Sequence, residues 1–181
     1  MSDRYEIRFA GSGGQGVILA AVITGEAAVI YADLNAVQTQ SYGPEARGGK
    51  SKSEVVISRG EIDYPKTSRP NLQVILNQKA CDEFVGDTVP GGIIIIDDTY
   101  VTGKPDVDAR IHSLPIVKTA RDKVGRELVT NMVALGATAH VLEQEGLLKP
   151  EHFKKAILAR VPRGTEGMNE LAFDEGYALM S

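Results

Sequence analysis

Gly11, Gly13 and Gly16 stand at the spacing Gly-x-Gly-x-x-Gly within Gly11-Ser12-Gly13-Gly14-Gln15-Gly16, directly after an alternating apolar stretch at 5–10. Glycines at a strand-to-helix junction let the backbone turn tightly, admit a phosphate close to its N–H groups and allow the helix to pack on the strand. The positive end of the following helix then favours an anion. Gly11, Gly13, Gly14, Gln15 and Gly16 are therefore candidate ligand-binding residues, with Gln15 adding an amide at the helix start. The spacing matches the dinucleotide fingerprint, which also needs a carboxylate about twenty residues on, closing the second strand, to hold a ribose hydroxyl. That partner is missing. Asp33 precedes the second apolar stretch, and Ala36-Val37-Gln38-Thr39-Gln40-Ser41 carries no acid. The plainer alternative is a tight turn that only packs a helix on a strand.

Elsewhere the chemistry-bearing residues are sparse. Cys81 is the only cysteine, so an intrachain disulfide is excluded, as is an iron–sulfur cluster that needs four thiolates. A small buried residue is a better description of it than a nucleophile. His112, His140 and His152 lack metal-ligand spacing, so no metal site is assigned. No His, Tyr-Lys or Ser-Lys arrangement stands poised for catalysis, so no catalytic residue is assigned either. A net charge of −4 argues against general nucleic-acid binding. Residues 47–69 are nevertheless locally cationic, with six bases against three acids. A solvated face explains that bias, and a docking site for an anion or a partner is the sharper reading.

The elements that must position these residues follow from periodicity. With 181 residues, 43% of them hydrophobic, and no break in composition, the chain is read as a single domain over 1–181. Residues 18–31 read as a buried crossover helix and 36–41 as a second strand. A Gly- and Pro-rich loop then leads to a strand at 51–58, and these two strands could be antiparallel neighbours. Residues 71–77 read as a strand and 78–85 as a short helix. Ile93-Ile94-Ile95-Ile96 reads as a central parallel strand buried on both faces. A strand at 110–117 has Pro115 at an edge or end. Helices are expected at about 120–143, at 151–160 after Pro150, and over 165–180. This alternation predicts an α/β fold: a mostly parallel sheet with helices on both faces, a three-layer sandwich whose ligands sit at the carboxyl ends of the strands. No signal peptide or membrane-length apolar run is present, so a cytoplasmic protein without membrane contact is expected.

The loop Ser41-Tyr42-Gly43-Pro44-Glu45-Ala46-Arg47-Gly48-Gly49 combines three glycines, a proline, an aromatic and a charge pair. Taken with the first glycine loop, with Ser51-Lys52-Ser53-Glu54-Val55-Val56-Ile57-Ser58 and with residues 131–136, it resembles the gamma subunit of 2-oxoacid:ferredoxin oxidoreductases. The nearest likeness is to the 2-oxoglutarate branch, although these loops do not encode which 2-oxoacid is used. The resemblance implies a Rossmann-like domain in a multi-subunit enzyme, inactive alone. That enzyme oxidatively decarboxylates a 2-oxoacid to acyl-coenzyme A and reduces ferredoxin. It further implies alpha and beta subunits that hold thiamine diphosphate, a ferredoxin-like delta subunit, iron–sulfur clusters in the partners, and coenzyme A at this chain's surface. On that view Arg47 and Lys50 would meet coenzyme A phosphates, Tyr42 would stack on or line the pantetheine path, and Gly48 and Gly49 would be cofactor-binding residues of the same loop. Arg47 also has a subunit-interface reading and a local one, paired with Glu45. A self-contained NAD-dependent oxidoreductase and a purely structural assembly subunit are the competing functions. Whether the isolated chain forms a homodimer stays open.

Overall fold

Successive isoleucines of the 93–96 run point to two separate apolar clusters, and this alternation sets the layers of the molecule. Ile93 and Ile95 join the larger cluster, whereas Ile94 and Ile96 join a smaller one on the opposite face. The computed structural model describes residues 4–42 and 50–181. Strands β1 (Arg4–Ser12), β2 (Asn35–Tyr42), β3 (Lys50–Ser58), β4 (Leu72–Ile75), β5 (Gly92–Asp97) and β6 (Ala109–Leu114) form one mixed sheet in the order β2-β3-β1-β4-β5-β6. β1, β4, β5 and β6 are parallel neighbours. β3 runs against both β1 and β2, so it alone points the other way.

Helices α1 (Val17–Glu26), α4 (Thr130–Gln144), α5 (Pro150–Arg160) and α6 (Glu166–Ala178) bury the larger cluster against one face. The short α2 (Gln78–Phe84) covers part of the other with Ala80, Cys81 and Phe84. The expected helices are present on both faces, most of those described lying against the larger cluster. β5 is buried along its whole length, which is why its sequence shows no polar alternation. On the thinly covered face β1 and β3 carry charge instead: Arg8, 2% exposed, reaches Glu54 at 2.7 Å and Asp87 at 2.6 Å.

Several boundaries differ from expectation for local reasons. β1 continues two residues into the glycine loop, because Gly11 and Ser12 pair with Ser51 and Lys50 of β3. β6 stops at Leu114, since Pro115 has no N–H to continue the ladder. The helical stretch expected from 120 is broken. Helix α3 (Ile116–Thr119) continues in wider turns to Val124, ends at Gly125 with φ +87°, and gives way to a separate α4. Twelve of the fifteen α4 residues are buried, so this helix has no polar face. It crosses α6 at a backbone-to-backbone contact. A Cβ on Gly176 would lie 1.9 Å from the Val133 carbonyl oxygen, and one on Gly136 2.0 Å from that of Phe173.

Candidate functional site

The first glycine loop divides into residues that build it and residues that it presents. The Ser12 N–H donates to Gln15 Oε1 at 2.8 Å, and Gln15 Nε2 donates to the Leu76 carbonyl at 2.9 Å. The amide therefore bridges the turn at Ser12 to Leu76, just after β4, a structural role that stands beside the reading of Gln15 as a ligand donor. Gly11 is buried, and a Cβ on it would lie 2.6 Å from Gln15 Oε1, so its smallness serves that same bridge. Gly16 adopts φ +71°, a left-handed conformation, and a Cβ there would lie 2.6 Å from Asn131 Nδ2. Asn131 belongs to α4, so Gly16 is a close-packing glycine as well. Gly13 and Gly14 differ. They are exposed in the turn Gly13–Gln15, and a Cβ on either would meet nothing within 4 Å. Of the five candidates in this loop, these two offer open backbone to a ligand.

Register places the strand ends that flank the second candidate loop at the same edge. β2 ends with Tyr42 opposite Ser51, and β3 begins with Lys50 opposite Ser12. Arg47, Gly48 and Gly49 lie outside the described residues, as does the side chain of Tyr42. Lys50 forms an ion pair with Glu83 of α2, so its charge, expected to face a phosphate, is countered by a carboxylate.

The chain leaves β1 towards α1 on one face and β4 towards α2 on the other, which creates a topological switch point between these strands. A groove of about 510 Å³ opens there, lined by Ser12, Gly14 and Gln15 on one side, Asn77, Gln78 and Lys79 after β4, and Tyr100 and Glu127 beyond. The residues after β4 and β5 were missed from sequence. The ends of those strands were nevertheless recognisable, and the rule that ligands sit beyond strand carboxyl ends pointed there.

Much of the groove wall is preorganised. Asn77 Oδ1 accepts the Ala80 N–H at 2.8 Å and caps α2. Gln78 Oε1 accepts the Thr102 N–H at 2.9 Å and the Gly103 N–H at 3.2 Å, holding the segment after β5. Asp97, wholly buried at the end of β5, accepts N–H bonds from Val117 and Tyr100 at 2.9 Å and from Thr99 at 3.1 Å. Burial pushes its carboxyl above the usual value, and these donors oppose that rise. At the rim Glu127 receives Arg121 Nη2 at 2.9 Å and the Tyr100 hydroxyl at 3.1 Å. The Arg121 bond, then the Tyr100 bond, hold the Glu127 carboxyl below its ordinary value. Lys79 is exposed and has no hydrogen-bond or ion-pair partner among the described residues.

The groove lining brings together the Lys79 ammonium and the bare backbone of Gly14, donors of the kind an anion takes. It does not have the layout of a dinucleotide site. In the fingerprint fold the second strand lies beside the first, whereas here β3 separates β2 from β1, placing the end of β2 roughly 10 Å away at ordinary strand spacing. Cys81 is 2% exposed and burial raises its thiol pKa, which suits packing better than reactivity. Among the described residues no group of three or more His, Cys, Asp or Glu could hold a metal ion, and no helix is long and apolar enough to cross a membrane.

Comparison with known proteins gives consistent matches. Residues 6–179 match the family model described as pyruvate ferredoxin/flavodoxin oxidoreductase. The 2-oxoglutarate synthase subunit KorC of Methanocaldococcus jannaschii is 48% identical over 97% of this chain and 94% of its own length. The crystal structure of a keto/oxoacid ferredoxin oxidoreductase gamma subunit from Geobacter sulfurreducens PCA superposes with a TM-score of 0.89. It is 45% identical, covering 98% of this chain and 96% of that one. The same fold occurs within the 2-oxoglutarate:ferredoxin oxidoreductase from Magnetococcus marinus with 2-oxoglutarate, coenzyme A and succinyl-CoA bound. That match has a TM-score of 0.86 at 20% identity, over 99% of this chain and 31% of that one.

Proposed function

The chain belongs to the pyruvate ferredoxin/flavodoxin oxidoreductase family, and from that premise we propose that it is the gamma subunit of a 2-oxoglutarate:ferredoxin oxidoreductase and lends one wall to its coenzyme A site. The observation that carries the coenzyme A role is the open groove at the switch point, whose lining holds both the bare backbone of Gly14 and a lysine without a partner among the described residues. Backbone N–H groups at a strand-to-helix turn and a lysine ammonium are the donors that phosphates take. The occurrence of this fold in an enzyme that holds coenzyme A supports the same ligand.

Coenzyme A supplies the thiol that accepts the acyl group. What this chain contributes is binding: it orients the carrier and neutralises its phosphates at the edge of the sheet. It works as one domain over residues 1–181, in the cytoplasm, beside alpha and beta subunits that carry thiamine diphosphate and a ferredoxin-like delta subunit. The iron–sulfur clusters belong to those partners, since this chain's one buried thiol is no cluster seat. Arg47, next to the groove edge in sequence, is a further contact for the coenzyme A phosphates.

Gly14→Asp tests this reading, because the position has room for a side chain and the new carboxylate would repel a phosphate. In the reconstituted complex KM for coenzyme A should rise roughly tenfold or more, by charge repulsion at a partly screened site, with kcat and subunit composition retained. An intact complex with unchanged KM would overturn the coenzyme A role. Dissociation of the complex with unchanged KM would favour a purely structural subunit.

A further inference from the structure

We propose that Tyr100 and Lys79 form the nucleotide end of the groove, Tyr100 offering its ring as a stacking platform for the adenine of coenzyme A and Lys79 countering a phosphate of the same nucleotide. The inference rests on the coenzyme A reading above.

Tyr100 is held at both ends. Its N–H is fixed by the buried carboxylate of Asp97 at 2.9 Å, and its hydroxyl is tied to Glu127 at 3.1 Å. Between these anchors the residue is 41% exposed and joins neither apolar cluster. A tyrosine fixed by its backbone and its hydroxyl, with its surface turned to a groove, is preorganised for a flat partner. Base–aromatic stacking needs an accessible π face and no particular base edge, and the tie to Glu127 only adds to its preorganisation.

The charges of the groove point the same way. Its lining has two ionised side chains, Lys79 and Glu127. Glu127 alone would repel a phosphate, but the guanidinium of Arg121 and the hydroxyl of Tyr100 engage its two oxygens. Lys79 has no such partner among the described residues. The lining therefore presents a free ammonium, a neutralised carboxylate and the open backbone of Gly14, with an aromatic surface on the same wall. An adenosine carrying phosphates matches all of these features, whereas the neutral pantetheine arm would leave the ammonium without a counter-charge.

The test uses the reconstituted complex, with two measurements: KM for coenzyme A and the inhibition constant of adenosine 3′,5′-bisphosphate, which carries only the nucleotide end. Tyr100→Ala should raise both by roughly tenfold, the size of a lost base–aromatic stack. Tyr100→Phe, which keeps the ring, should stay within about twofold of the parent, since the π face is retained. Lys79→Gln should raise both constants several-fold at low salt and by less at high salt, because an exposed charge is screened. Thermal melts of each variant identify any loss of fold.

Each remaining outcome is decisive. If Tyr100→Ala raises KM for coenzyme A but leaves the bisphosphate constant unchanged, Tyr100 meets another part of the carrier and the nucleotide assignment is overturned. If Tyr100→Phe is as impaired as Tyr100→Ala, the tie to Glu127 matters and the stack is overturned. If Gly14→Asp raises KM while the Tyr100 and Lys79 variants do not, the inference fails and the coenzyme A role stands. If none of the variants alters KM, both fail.

Discussion

Gln15 engages Ser12 and Leu76 through its two amide atoms, and this sets the shape of the turn before any ligand arrives. Leu76 is buried, so removing the donor leaves its carbonyl without that bond at the part-buried edge of the groove. Gln15→Ala should lower stability by about 1–3 kcal/mol, the cost of leaving a buried polar group unsatisfied. Denaturant unfolding of the isolated chain measures this, and a loss below about 0.5 kcal/mol would show that water replaces the bridge, as at ordinary surface positions. The glycine pattern was legible in the sequence, and so was its place between strand and helix. Which glycine performs which task was not. That division depends on Leu76 and Asn131, brought to the loop from 60 and 115 positions beyond Gly16, and spacing within six residues holds no information about them. Lys50 illustrates the same limit: a lysine beside a glycine loop reads as a phosphate ligand until α2 presents Glu83 to it.

At the scale of elements, the crossing of α4 and α6 is the least forgiving contact in the fold. Gly176 and Gly136 bring each helix onto a carbonyl of the other, closer than any side chain would allow. Gly176→Ala should force the helices apart and destabilise the chain by roughly 3 kcal/mol or more, beyond the usual range for overpacking, because backbone and not a mobile side chain blocks the added methyl. A melting temperature within about 2 °C of the parent would contradict this, since 1 kcal/mol shifts a chain of this size by about 2–4 °C. The helix itself was expected from periodicity, but its burial on every side and its break after Gly125 were not. The burial arises from α6, which hides the face that would otherwise be polar, and the break from the left-handed turn at Gly125. Likewise the pairing of β2 with β3 was readable from the loop between them. The insertion of β3 beside β1 was not, because no local signal says which strand a hairpin will lie against.

For the whole molecule, the family to which the chain belongs makes it one subunit of a 2-oxoacid oxidoreductase. The groove wall contributes amides, an ammonium and an aromatic ring, without an acid–base pair poised for proton transfer. Assayed alone with 2-oxoglutarate, coenzyme A and an electron acceptor, the chain should form no succinyl-coenzyme A, and activity should return when the partner subunits are added. Turnover by the isolated chain would refute its standing as a gamma subunit. The α/β class, the layer order and the edge that carries the groove were all readable from alternating apolar runs, because those runs report burial. The position of β1 has a further consequence, which concerns synthesis. Its neighbours are residues 50–58 and 72–75, so Ile7 must wait for Leu72 and Arg4 for Ser58. A chain emerging from the ribosome therefore exposes both edges of its first strand, and the apolar helix after it, until the second set of partners has followed. The glycine turn that opens the binding groove is consequently among the last parts of the N-terminal half to take shape, and the nascent chain is most prone to mispairing in that interval.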